Sequence, residues 1–111
     1  VSDSDLSNIA IEILLALSRG PAHGYAIKLD VERRIGDDFI LGSGSLYQAL
    51  QRLERRALIS ETTDDAPPDN RRGRVYHVTP AGRRALEAEI SRMKRVVAQA
   101  RRLFSHEGGR R

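Results

Sequence analysis

A chain of 111 residues with 40% hydrophobic and 31% charged residues has room for one core and reads as a soluble globular domain. It has no cysteine, which excludes disulfides and thiolate metal sites, and its longest apolar run, Ile9 to Leu17, is broken by Glu12 and too short to span a membrane. No signal-peptide pattern is visible, so a cytoplasmic location is expected. The formal charge of +4 is unevenly held: residues 80–111 carry nine Lys and Arg against three Asp and Glu, and residues 1–79 carry ten against twelve. Phosphate contact from the front of the chain must therefore come from local clusters, Arg52, Arg55 and Arg56, then Arg71, Arg72 and Arg74.

In chain order, Asp5 is an N-cap candidate for a first helix reaching about Ser18. Leu6, Ile9, Ala10, Ile13 and Leu17 share one face, and Ile11 and Leu15 lie roughly opposite. A helix apolar on both sides needs two covers. The second is either a partner subunit, the reading favoured here, or the last helix of the same chain. Arg19-Gly20-Pro21 breaks this helix, and a second runs from near His23 to about Ile35 with Ile27, Val31 and Ile35 inward. Gly36-Asp37-Asp38 ends it, and Phe39-Ile40-Leu41 could form one short strand.

The third helix, from about Ser43 to Arg56, organises the chain. Leu46, Ala49, Leu50, Leu53 and Ala57 fall on one stripe, and Gln48, Gln51, Arg52 and Arg55 on the other; Ser43 or Ser45 can cap its start. Amides and guanidiniums on one helical face suit a DNA major groove, where Arg pairs with guanine and Gln with adenine. Three short helices with the polar-faced one third is the order of a helix-turn-helix domain.

The period then changes. Leu58–Thr63 and Arg74–Thr79 read as strands joined by the polar loop 64–73, forming a wing over about 58–79 whose Arg71 and Arg72 could reach phosphate or the minor groove. Asp64, Asp65 and Asp69 weaken that loop as a DNA contact. Thr79-Pro80 opens a long last helix to about Ser105, on which Leu86, Ile90, Met93, Val97, Ala100 and Phe104 form a heptad seam. Val96 and Leu103 widen that seam. At 1.5 Å per residue the helix is ~39 Å long, so its distal part is expected to pack on another subunit. Residues 107–111 are expected to form a disordered basic tail. The predicted architecture is mainly α with a small β-wing: a winged helix-turn-helix over 1–79 followed by a dimerisation helix over 80–106.

Three stretches carry a resemblance: Gly20-Pro21-Ala22-His23-Gly24-Tyr25-Ala26-Ile27, then Gly44-Ser45-Leu46-Tyr47 through Leu50 with Arg52-Leu53-Glu54, and Tyr76-His77-Val78-Thr79-Pro80-Ala81-Gly82-Arg83. In this order and spacing they resemble the PadR family of bacterial transcriptional regulators, in its small form with one C-terminal helix. The resemblance implies a winged-helix homodimer in which the last helix packs against the partner's first. It also implies Tyr47 at the DNA surface and Tyr25 supporting the recognition helix or touching phosphate. This chain departs from the family pattern at Ser43 and Gln48, where proline is frequent, and at Ala57, where glycine is usual.

Other chemistries find little support. His23, His77 and His106 are far apart with no metal-ligand spacing, Gly42-Ser43-Gly44-Ser45 lacks the spacing of a phosphate loop, and no nucleophile elbow occurs. No enzyme, cofactor or metal is therefore expected. The expected function is that of a sequence-specific DNA-binding regulator, a homodimeric repressor on a pseudo-palindromic operator. A winged-helix module that binds protein is the alternative. Candidate base contacts are Gln48, Gln51 and Arg52. Tyr25, Ser43, Ser45, Tyr47, Arg55, Arg71, Arg72 and Arg74 complete the candidate DNA surface. The dimer surface is expected from Ile11, Leu15 and the seam Leu86, Ile90, Met93, Val97, Ala100 and Phe104. The resemblance also implies a small aromatic or drug-like effector, for which Ile11, Leu15, Met93, Val97 and Phe104 are the available lining; plain dimer packing is the simpler role for these residues.

Overall fold

The computed structural model describes residues 6–62 and 74–108. The order is α1 (Asn8–Leu17), β1 (Ala22–His23), α2 (Gly24–Ile35), α3 (Ser43–Arg55), β2 (Ile59–Thr62), β3 (Val75–Val78) and α4 (Pro80–Gly108). The three strands form an antiparallel sheet in the order β1-β3-β2. The core gathers Ile13, Leu14 and Leu17 of α1, Ile27 and Val31 of α2, and Leu46, Leu50 and Leu53 of α3 under the sheet residues Ile59 and Tyr76. Burial of the α3 leucines at the expected period fixes which face of that helix is left to solvent.

Several local expectations change. The cap of α1 is Ser7, whose Oγ accepts from the Ala10 N–H at 3.1 Å; Asp5 lies outside the described residues. Neither Ser43 nor Ser45 caps α3. Gly42 has the extended conformation, and its carbonyl accepts the first helical bond from Leu46 N–H at 2.9 Å, so Ser43 is already inside the helix. The third strand is Ala22–His23, paired with Tyr76 and Val75, and not Phe39–Leu41. The latter segment is held as a turn: Phe39 N–H donates to Gly36 O, and Leu41 N–H is taken by the Glu32 carboxylate at 2.8 Å, which removes it from any ladder. The last helix runs on through Gly108, past both the end expected near Ser105 and the start of the expected disordered tail at 107.

The joint between α3, the wing and α4 is tightly built. Ala57 N–H donates to Glu54 O and Leu58 N–H to Leu53 O, with Ala57 at φ 59°, so α3 ends in a left-handed Schellman turn sealed by buried Leu53 and Leu58. Thr79 Oγ1 donates to Ala57 O at 2.7 Å and accepts from Gly82 N–H at 3.0 Å, capping α4 while tying it to that turn. Gly82 lies against Leu58: a β-carbon there would fall 2.0 Å from the Leu58 carbonyl oxygen. This contact explains the glycine of the Thr-Pro-Ala-Gly stretch.

With 29 residues, α4 is about 43 Å long. The chain measures 65 × 31 × 23 Å with a radius of gyration of 17.1 Å, against ~13 Å for a compact domain of this size. The excess comes from α4 projecting beyond the body. Leu86 and Glu89 are buried against that body, whereas Val97 is 49% and Phe104 is 70% exposed. Glu89 carries the anchor: its carboxylate accepts from Leu6 N–H at 3.3 Å and from Arg92 Nε at 2.8 Å. The Arg92 bond holds the carboxyl below its usual range against the opposing effect of burial, with the Leu6 N–H adding to the lowering.

Candidate nucleic-acid interface

The outer face of α3 is built by what its inner face buries. Leu46, Leu50 and Leu53 are held in the core, so Gln48, Gln51, Arg52 and Arg55 are turned to solvent together, with Ser43 and Ser45 exposed in the first turn. Gln48, Gln51, Arg52 and Arg55 are therefore gathered on one surface of a helix about three and a half turns long, while Ser43, three residues before Leu46, stands in the first turn on the side of the leucine stripe. Between α3 and the start of α1 lies a groove of 270 Å³ lined by Leu6, Ser7, Ala10, Ala49, Arg52, Leu53 and Arg56. Arg52 thus flanks the reading face on the α1 side.

On the opposite flank, Tyr47 is 44% exposed and its ring lies over the first residue of α2. A β-carbon at Gly24 would sit 3.1 Å from the Tyr47 hydroxyl and 3.6 Å from two ring carbons. The glycine of the His-Gly-Tyr stretch thus lets the Tyr47 ring settle against α2, and this fixes how far its hydroxyl projects. Tyr25 is exposed on the outer side of α2 and Lys28 is half-buried against Glu32, bonded at 2.8 Å. That bond, with the Leu41 N–H, holds the Glu32 carboxyl below its usual range against burial, and it fixes the turn that presents α3.

The wing adds a feature the sequence did not suggest. Glu54 of α3 and Glu61 of β2 come together beside Arg74 and the buried Tyr76, which faces Glu61 across the ladder. Burial pushes the Glu54 carboxyl up, and the hydrogen-bonded carboxyl of Glu61 pushes it further, with Arg74 opposing. Burial likewise raises the Tyr76 hydroxyl, aided by the charges of Glu61 and Glu54. Arg74 Nε lies 3.8 Å from Glu61 Oε1, so this arginine, expected at the DNA backbone, also has an acid pair to offset. The Glu61–Tyr76 register was the available signal, since cross-strand partners share a face. Arg71 and Arg72 lie outside the described residues.

The expected dimer residues divide. Ile11 and Leu86 are 7% and 5% exposed and enclosed within one chain, so they have little surface left for a partner. Ile11 is therefore covered by its own chain, the alternative not favoured from sequence. Leu15, Ile90 and Met93 are half-buried against the same core. Val97 and Phe104 are exposed along the projecting half of α4, with Val96 and Leu103 beside them, and Ala100 is half-buried. Among the described residues no group of three or more His, Cys, Asp or Glu could hold a metal, and no helix is long and apolar enough to cross a membrane.

Comparison with known proteins places this architecture. The sequence model of the Transcriptional regulator PadR-like family matches residues 13–88. A 37.1 kDa protein in transposon TN4556 of Streptomyces fradiae is 43% identical over 84 residues; the match covers 76% of this chain and only 22% of that protein. Transcriptional regulator Rv3488 of Mycobacterium tuberculosis is 28% identical over 101 residues, covering 91% of this chain and 90% of that one. The crystal structure of a PadR family transcription regulator from Clostridium difficile superposes with a TM-score of 0.67 at 27% identity, over 88% of this chain and 98% of that one. With a family match over residues 13–88, most of its length, the chain belongs to the PadR-like family of transcriptional regulators.

Proposed function

We propose that the protein is a homodimeric, sequence-specific DNA-binding repressor that lays α3 in the major groove. The observation that carries the reading is the outward face of α3, where Gln48, Gln51, Arg52 and Arg55 stand together on a helix whose other face is locked into the core. Gln48, Gln51 and Arg52 read base edges; Ser43, Ser45, Tyr47, Arg55 and Tyr25 position the helix on phosphate, with Arg71, Arg72 and Arg74 reaching from the wing. The first-turn N–H groups of α3 have no side-chain cap, so they are available to a backbone phosphate. The projecting half of α4, with Val97, Ala100 and Phe104, supplies the dimer contact. Two copies of α3 then meet half-sites about 34 Å apart.

A small aromatic effector that releases the repressor belongs to the same reading. A shallow groove on α4, lined by Ile90, Met93, Lys94, Val97, Ala98 and Arg101, lies where a partner helix would close it. Its walls are aliphatic and cationic, which suits an aromatic acid.

Fluorescence anisotropy on the protein's own upstream region and on a shuffled duplex tests the proposal. Specific binding should exceed shuffled binding by ~10³ or more at physiological salt, with each lost base contact costing about 1–3 kcal/mol. Gln51→Ala should erode the preference while leaving the salt dependence in place. Equal affinity for both fragments, unchanged by Gln51→Ala, would remove α3 as the reading element and favour a protein partner for this face.

A further inference from the structure

The surplus positive charge of this chain does not sit on the reading face. Ile90 to Ser105 contains five basic residues, Arg92, Lys94, Arg95, Arg101 and Arg102, and no acidic one; before it, the exposed Glu87 lies three residues after Arg84. Arg92 is spoken for by Glu89. Among the described residues the other four have no carboxylate partner, and neither does Arg84 one turn before Ala88. Arg84, Arg95 and Arg102 are spaced by 11 and 7 residues, close to three and two whole turns, so they align in one column. That column lies on the side of α4 opposite Leu86, Ile90, Met93, Val97 and Phe104. All three are exposed, and they span ~27 Å of straight helix. Lys94 and Arg101 lie toward the seam and wall the α4 groove that a partner helix would close, so they are not part of this surface.

We infer that the back of α4 is a second, sequence-blind binding surface for duplex DNA, separate from the α3 face, so that one dimer can hold two DNA segments. The partner is chosen by what the surface offers. Between the arginines stand Ala88, Ser91 and Ala98, small residues that give no apolar anchor of the kind a protein interface centres on. Most apolar residues of α4 lie on its other face, with Val96 and Leu103 on the flank beside the seam, so the arginine column itself carries no apolar side chain to insert into a lipid surface. What remains is a straight row of guanidiniums, long enough to face several phosphates of a duplex that carries one charge per ~1.7 Å. Guanidiniums pair with phosphate in bidentate fashion and need no base contact to do so. The inference takes the homodimer from the proposed function and concerns a face that the operator reading does not use.

The test measures anisotropy of a random-sequence duplex across a salt series with the full-length protein and two variants. One is Arg52→Gln/Arg55→Gln on α3; the other is Arg84→Gln/Arg95→Gln/Arg102→Gln on α4. Every substituted side chain is exposed, so melting curves should coincide. The α4 variant should bind random duplex about tenfold more weakly at low salt and lower the salt slope by about 2 or more. It should also fail to retain a labelled second duplex on beads bearing the first, which the wild type retains. Loss confined to the α3 variant would overturn the second surface and leave the operator reading intact. Loss confined to the α4 variant would support the second surface and leave the operator reading to the comparison of specific with shuffled duplex. Tighter binding of poly-glutamate than of duplex would overturn the assignment to nucleic acid.

Discussion

Ala57 is the position where this chain and its own backbone disagree. It sits at φ 59° as the residue after the helix cap, donating to Glu54 O while Leu58 donates to Leu53 O. An L side chain in this left-handed region costs roughly 1–2 kcal/mol, and glycine there costs about 0.5–1 kcal/mol in extra unfolded-state entropy. The side chain is exposed, so its methyl contributes little burial. Ala57→Gly should therefore stabilise the fold by about 1 kcal/mol, equivalent to about 4–8 °C in Tm for a domain near 100 residues. Ala57→Val should move the other way by a similar amount, because a β-branched residue tolerates this region least. Urea unfolding at one fixed protein concentration reads both, since dimer formation would make the midpoint depend on concentration. If Ala57→Gly lowered or left unchanged the midpoint at constant m, the left-handed turn would not be the native conformation. The Schellman account of how α3 ends would then fail with it.

Gly82→Ala should destabilise by at least about 2 kcal/mol, because its β-carbon would meet the Leu58 carbonyl at 2.0 Å and that carbonyl is fixed by the Thr79 N–H; chemical denaturation checks it. Glu89 has a folded pKa below the ordinary carboxyl value of 4.5, so its stabilisation is complete above that value and is lost as pH falls through the lower folded pKa. The gap between wild type and Glu89→Gln should accordingly be widest near neutral pH and close in acid, as followed by melting against pH. Glu54 has the opposite sign. Its folded pKa is raised, so its favourable contribution is present below 4.5 and lost as pH rises through the folded value. Glu54→Gln should thus be more stable than wild type at pH 7 and converge with it at low pH.

Much of the fold was legible because it rests on period and punctuation. Leu46, Leu50 and Leu53 announce the buried side of α3, and Gly20-Pro21 and Thr79-Pro80 mark breaks that the backbone respects. The outer face of α3 followed from the same pattern. Features set by long-range partners were not legible. Ala22–His23 has no strand signature and is extended because the free edge of β3 runs beside it. The Glu54–Glu61 pair joins residues from a helix and a strand whose meeting depends on the turn at Ala57. Ser43 and Ser45 looked like caps by residue type, but capping is a matter of backbone conformation, and Gly42 has it.

The last helix shows why a seam in sequence does not specify one environment. Leu86, Ile90, Met93, Val97, Ala100 and Phe104 keep one heptad register throughout, yet burial falls from almost complete at Leu86 to slight at Phe104. The divide falls just beyond Glu89, whose carboxylate binds the start of α1 and is the one buried charged side chain among the described residues. A buried carboxylate with two donors is costly to detach, because either donor alone leaves it short of partners. Glu89 thus clamps the first three turns of α4 to their own body and sets the direction in which the rest projects. In a dimer joined through the distal half, that direction decides the separation of the two α3 faces. One carboxylate at the end of the third turn would therefore bear on the operator spacing that the proposed dimer presents.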